Sequence, residues 1–169
     1  MDHKAREAEL ERAFLEMLET HAPRLRRIAS SYARGPDRGD LYQEILCALW
    51  RSLPGFRGDA ALGTWVYRVA LNTALSHARL RKRRPAEVQV PADALAEPAT
   101  AGDPAREDAI LQDFLASLGE IDRSLLILHL DGFTHEEMSQ VTGLRPGAVG
   151  VRLHRIKRSY ERRYLEGVS

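Results

Sequence analysis

The sequence predicts an all-α protein built from two small helical domains joined by a flexible acidic linker. Three observations carry that prediction. Apolar residues recur at steps of three and four wherever a pattern exists, as they do along one face of a helix. No segment alternates with period two, as a half-buried strand would. Between Pro85 and Pro104 the composition turns to Pro, Ala, Glu and Asp without an aromatic, too little apolar surface to order itself. The 169 residues thus divide into a domain at 1–84, a linker at 85–104 and a smaller domain at 105–169. Each can bury only a modest core.

The first helical pattern runs from about Arg6 to Glu19, with Leu10, Phe14, Met17 and Leu18 facing inward. Pro23 predicts a break or a new first turn before Leu25, Ile28, Ala29 and Tyr32. Gly35-Pro36-Asp37 is a loop signal. Asp37 or Asp40 can then cap a helix through Leu41, Ile45, Leu49 and Leu53, ended by Pro54-Gly55. Asp59 or Thr64 caps a long helix through Trp65, Val69, Asn72, Leu75 and Leu80. Beyond the linker, a helix from Glu107 to Leu118 carries Ile110, Leu111, Phe114 and Leu115. Asp122 caps the next, which runs through Leu125, Leu126, Leu128 and Leu130 and is closed by Gly132.

The last stretch is the most specific. Thr134 and Glu137 have the spacing of a capping box, Met138 and Val141 lie on the short helix that follows, and Gly143 supplies a stop. Pro146 falls at the first position of a second helix, where a missing N–H costs nothing. There Val149, Leu153, Ile156 and Tyr160 share one buried face, leaving Arg152, His154, Arg155, Lys157 and Arg158 on the others. A short helix, a tight turn and a longer basic helix form a helix-turn-helix suited to a DNA major groove.

The net charge of +1 hides a strong asymmetry. Residues 1–84 hold 16 basic against 10 acidic side chains, residues 85–121 hold 1 against 8, and residues 122–169 hold 8 against 6. Two basic blocks separated by an acidic one suit a polyanionic partner. Cys47 is the only cysteine, which excludes an internal disulfide, and its apolar neighbours predict a buried, inert thiol. The N-terminus lacks the apolar core of a signal peptide, and no run approaches the ~20 apolar residues of a membrane span. A soluble, cytoplasmic protein without membrane partners is expected. His129 and His135 lack further ligands at metal-binding spacing, and Glu136 and Glu137 point in different directions on a helix. With no phosphate-binding Gly-rich loop and no nucleophile elbow, neither enzyme activity, metal nor cofactor is expected.

A second block, Phe56 to Asn72, places aromatics, Arg57, Arg68 and Asn72 on a glycine-bearing loop and the helix after it. Aromatic rings and guanidinium planes stack on unpaired bases at about 1–3 kcal/mol per base. An Asn amide can both donate to and accept from a base edge. The same helix ends in Arg79-Leu80-Arg81-Lys82-Arg83-Arg84, a cluster suited to phosphates. Composition alone leaves open whether Trp65 and Val69 are simply core.

Asp40-Leu41-Tyr42-Gln43-Glu44, then Phe56-Arg57-Gly58 through Trp65-Val66-Tyr67-Arg68 to Asn72, then the helix-turn-helix, occur in that order. Together they resemble the extracytoplasmic-function (ECF) sigma factors, the small two-domain initiation subunits of bacterial RNA polymerase. The resemblance covers about residues 10–84 and 110–165. It implies that Asp40, Leu41, Gln43 and Glu44 meet the core polymerase. It implies that Phe56, Arg57, Gly58, Leu62, Trp65, Arg68 and Asn72 capture the melted −10 element. Arg79, Arg81, Lys82, Arg83 and Arg84 would then guide the backbone beside it. Arg145, Arg152, His154, Arg155 and Arg158 become candidates for the −35 duplex, with Arg152 nearer a backbone or packing role. Core RNA polymerase and promoter DNA are the implied partners. Many members are held by an anti-sigma factor, which makes such a protein a further candidate. In the family the linker threads through polymerase channels.

One departure stands out. Gly150 and Val151 occupy positions where the family usually has Lys or Arg followed by Ser. A glycine there costs about 1 kcal/mol against alanine. Either the helix approaches DNA unusually closely, or base reading shifts to His154 and Arg155. The other readings are a stand-alone helix-turn-helix regulator, binding a palindrome as a dimer without polymerase, and an all-α interaction module.

Overall fold

The computed structural model describes residues 3–83 and 104–165. Arg84 and the expected acidic linker at 85–104 lie, but for the linker's last residue, outside the described residues. Seven α-helices and one 3₁₀ turn are present among them, and no strand. The chain separates into two compact units, Met1–Arg79 and Leu80–Ser169.

The first unit begins with α1 (His3–Tyr32), a single helix that carries Pro23 inside it. The predicted break does not occur. Leu10, Phe14, Met17, His21, Leu25, Ile28 and Tyr32 continue one stripe at steps of three and four straight through the proline. Pro23 removes one main-chain hydrogen bond, and burial of Leu25, Ile28 and Ala29 beyond it outweighs that loss. Leu18 reaches only a half-buried position beside the stripe.

Helix α2 (Asp37–Ser52) packs on α1 and buries Leu41, Ile45 and Leu49. Neither expected aspartate caps it, because Pro36 holds the N-cap position without a side-chain bond. Asp37 and Asp40 lie instead in the first turn, where carboxylates favour the positive end of the helix dipole. Cys47 is exposed, contrary to expectation. It stands two residues past Ile45, about 200° around the helix, and so faces away from the core. The helix gives way to a 3₁₀ turn, Leu53–Gly55, and then to an irregular segment in which Gly58 adopts φ 77.

Helix α3 (Leu62–Arg83) starts between its two expected caps. The Trp65 amide donates to the Ala61 carbonyl at 3.1 Å, and Thr64 is already buried inside the first turn. Its inward face, Val66, Tyr67, Ala70, Leu71 and Ala74, completes the core of this unit.

The second unit comprises α4 (Pro104–Ser117), α5 (Glu120–Leu130), α6 (His135–Thr142) and α7 (Pro146–Tyr164). Phe114, Leu115, Leu125, Ile127, Leu128, Met138 and Val149 are fully buried or nearly so. Gly119, not Asp122, is the N-cap of α5. Leu130 is 47% exposed, because it lies two residues past Leu128 on the opposite face, whereas Ile127 is fully buried. Arg123 reaches back across the α4–α5 turn. Its Nε donates to the Leu115 carbonyl at 2.7 Å, and one Nη donates to the Ala116 and Leu118 carbonyls at 3.1 and 3.0 Å. The Leu115 carbonyl also accepts from the Leu118 amide at 3.2 Å, and Arg123 adds to it and serves the two carbonyls after it, a cap supplied by the next helix. One residue before Leu115, Phe114 clusters with Tyr160 and Tyr164 of α7, with ring centroids 5.0–6.1 Å apart. There Tyr164 Oη donates to Asp113 Oδ2 at 2.9 Å.

Candidate nucleic-acid and polymerase interfaces

The helix-turn-helix is built as its residues require. Thr134 Oγ1 accepts from the Glu137 amide at 3.2 Å, and the Thr134 amide donates to Glu137 Oε2 at 2.8 Å, so both halves of the capping box form. Gly143 ends α6 at φ 76, a left-handed conformation that glycine adopts without strain. Ser139 Oγ donates to the Leu144 carbonyl and ties the turn to α6. Pro146 then opens α7 with Arg145 at its N-cap. Val149 and Ile156 are buried against α5 and α6, with Leu153 and Tyr160 half-buried on the same stripe.

Arg145, His154, Arg155 and Arg158 are exposed. Arg152 is not free: its Nη1 donates to Asp122 Oδ1 at 2.6 Å. A Cβ at Gly150 would stand 3.4 Å from Cε1 of His135, the first residue of α6, which is an ordinary contact and does not by itself require glycine.

In the first unit the Phe56 and Trp65 rings lie 5.0 Å apart at 42°, both half-buried, so Trp65 is partly core and partly surface. Arg57, Gly58 and Asn72 are exposed, Leu62 is 39% exposed and Arg68 is half-buried. Trp65, Arg68, Asn72, Ser76, Arg79 and Arg83 succeed one another at steps of three and four along α3. They form one stripe about 27 Å long at 1.5 Å per residue, aromatic at one end and cationic at the other. Arg79, Lys82 and Arg83 are exposed and Arg81 is half-buried.

Asp40, Gln43 and Glu44 are exposed on α2 at helical spacing. Leu41 is 0% exposed, which corrects its expected place on that surface: it belongs to the core that holds α2 in position. Glu44 Oε2 meets His77 Nδ1 of α3 at 3.1 Å, an anchor that sequence separation concealed.

This chain matches the Sigma-70 region 2 family over residues 17–84 and the Sigma-70 region 4 family over residues 108–159. It is 26% identical over 166 residues to the ECF RNA polymerase sigma-E factor of Escherichia coli, covering 89% of this chain and 86% of that protein. It is 30% identical over 140 residues to the RNA polymerase sigma-H factor of Pseudomonas aeruginosa, covering 73% of this chain and 70% of that protein. The chain belongs to the ECF sigma factor family. Its fold is shared by the sigma factor RpoE of Bartonella quintana, solved with the anti-sigma factor NepR, at a TM-score of 0.70 and 24% identity, covering 89% of this chain and 95% of that one. CnrH, solved with the cytosolic domain of CnrY, shares it at a TM-score of 0.67 and 24% identity, covering 94% and 91%.

As an ECF sigma factor, the protein binds core RNA polymerase and directs it to promoters. The stand-alone regulator is not favoured, because a region 2 match occupies residues 17–84. Among the described residues no helix is long and apolar enough to cross a membrane. Three features of this sigma factor escaped sequence reasoning: the Asp122–Arg152 pair, the Glu44–His77 pair and the His135–Gly150 approach. Each joins residues at least 15 positions apart in sequence, where no local pattern operates.

Proposed function

We propose that residues 1–84 of this ECF sigma factor engage core polymerase and the melted −10 element, that 85–104 connect, and that 105–169 read the −35 duplex. Asp40, Gln43 and Glu44 present acceptors to a cationic polymerase surface. Phe56, Trp65 and Asn72 receive an unstacked base, and the stripe through Arg68, Arg79 and Arg83 guides the strand that follows. Arg145, His154, Arg155 and Arg158 take bases and phosphates in the major groove. The observation that carries this reading is the stripe on α3, where stacking, amide and cationic groups succeed each other on one face.

The protein acts through binding alone, without catalysis of its own, in the cytoplasm. An anti-sigma factor is a fitting partner, as NepR is for RpoE of Bartonella quintana. The test is transcription in vitro with purified core polymerase and promoter DNA. Asn72→Ala should impair opening while leaving −35 binding intact, and Arg155→Ala should do the reverse. Equal effects of both variants on both steps would refute the division.

A further inference from the structure

Six consecutive residues, Pro146 to Val151, open the recognition helix without one side-chain hydrogen-bond donor or acceptor. This is the part of a recognition helix whose side chains reach base edges in helix-turn-helix proteins. Val149 is fully buried and Gly150 lies under His135, while Gly147 and Ala148 offer almost no side chain. Val151 is left, 61% exposed. Gly147, Val151, His154 and Arg158 step by four, three and four. That repeats the buried stripe Val149, Leu153, Ile156 and Tyr160 two residues out of phase, about 200° around the helix. Val151 therefore lies in the middle of the outward face, between the groove-reaching cations and the helix N-terminus.

A lone exposed aliphatic is ordinary on a protein surface. Here it stands on the face that must discriminate sequence, and it can form no hydrogen bond with a base. The major groove displays one apolar feature, the C5 methyl group of thymine. The geometry points to Val151 as a specificity-determining residue that packs its methyl groups against a thymine methyl in the −35 element. The assignment rests on α7 being the −35 reader, and it replaces at this position the polar contact that the rest of the segment lacks.

The experiment uses the full chain assembled with core polymerase and a promoter that this holoenzyme selects from a random pool. Each thymine of the −35 element is replaced in turn by uracil, which deletes only the methyl group. Wild-type holoenzyme should lose about fourfold in affinity at one position, the worth of one buried methyl group. Val151→Ala should lose about as much on the thymine template and cease to distinguish thymine from uracil, whereas Val151→Ile should keep the distinction. Retained discrimination in Val151→Ala, no response to uracil at any position, or a selected element without an A·T pair would overturn the assignment. Arg155→Ala and Arg158→Ala separate the two levels. If they weaken promoter binding while Val151 proves silent, α7 reads the element without Val151. If they too are silent, the −35 assignment of α7 fails and Val151 falls with it.

Discussion

Arg152 Nη1 lies 2.6 Å from Asp122 Oδ1, so one cation of the recognition helix is bonded to α5 and holds the helix-turn-helix against its support. Both side chains remain partly exposed, at 40% and 33%, which limits the strength of the pair through solvent screening. The bond sets Arg152 apart from Arg155 and Arg158, which have the same chemistry and face outward.

Replacing either partner of that pair should loosen region 4 without redirecting it. A double-mutant cycle with Arg152→Ala and Asp122→Ala, read by chemical denaturation, should give a coupling of about 0.5–1 kcal/mol. The promoter sequence selected by Arg152→Ala holoenzyme should match wild type. An altered −35 preference would place Arg152 on DNA instead.

His21 makes the first unit sensitive to acid. Its ring is buried in α1 beside Gly63 of α3, and its Nδ1 has no hydrogen-bond partner among the described residues. Burial, and then the Arg24 guanidinium, hold its pKa below the usual 6.5. The unfolded chain therefore takes up the proton first, and folding is favoured by deprotonation. The stabilisation is complete above pH 6.5 and falls as pH drops below it, by at most about 1.4 kcal/mol per pH unit. His21→Leu should lose this share of the pH dependence between pH 7.5 and 5.5, within the ~pH 5–8 range in which histidine charge changes. An unchanged pH profile in that variant would sink the argument.

Arg123 should prove costly to remove for a residue that is not fully buried. Truncation to alanine takes this donor from the Ala116 and Leu118 carbonyls and leaves the Leu115 carbonyl with only the Leu118 amide, a loss of about 1–3 kcal/mol. Arg123→Lys should recover only part, because an ammonium cannot span the three acceptors as the planar fork does. Wild-type stability in the alanine variant would contradict this role.

Gly150→Ala should stabilise region 4. The added Cβ would meet His135 Cε1 at 3.4 Å, within ordinary contact, while alanine favours the helix by up to about 1 kcal/mol. Gly150→Leu should reverse the gain by pushing the imidazole away. Thermal unfolding of the two variants against wild type decides the sign.

Promoter binding should weaken steeply with salt. If the exposed Arg158 meets a phosphate, as proposed, its removal should lower the slope of log affinity against log salt by about 0.9 and weaken binding across sequences. A slope unchanged in Arg158→Ala would remove that residue from the phosphate contacts.

Most of the helix-turn-helix was legible in the sequence, because its signals are local. Thr134 and Glu137 sit one helical turn apart, Gly143 answers a backbone need, and Pro146 fits a first turn that has no use for its N–H. The same reasoning erred where a strong local signal met a longer-range demand. Pro23 signals a break, yet the apolar stripe of α1 runs on through it and the core beyond holds the helix together. Asp122 signals a cap, but its carboxylate accepts from Arg152, thirty residues later. Cys47 and Leu130 have apolar neighbours in sequence and still face outward, because a two-residue step on a helix crosses to the other side.

The sequence by itself determined the helical class, the order of the three motif blocks, and the family to which they belong. Periodicity, caps and motif order are written within a few residues of one another, where the backbone geometry of a helix translates them directly. Only the tertiary structure decided which members of those blocks are available to a partner. It withdrew Leu41 into the core, bound Glu44 to His77 and Arg152 to Asp122, placed His135 over Gly150 and left Val151 outward. Exposure is set by what packs from elsewhere in the chain, and a local pattern carries no record of those distant neighbours.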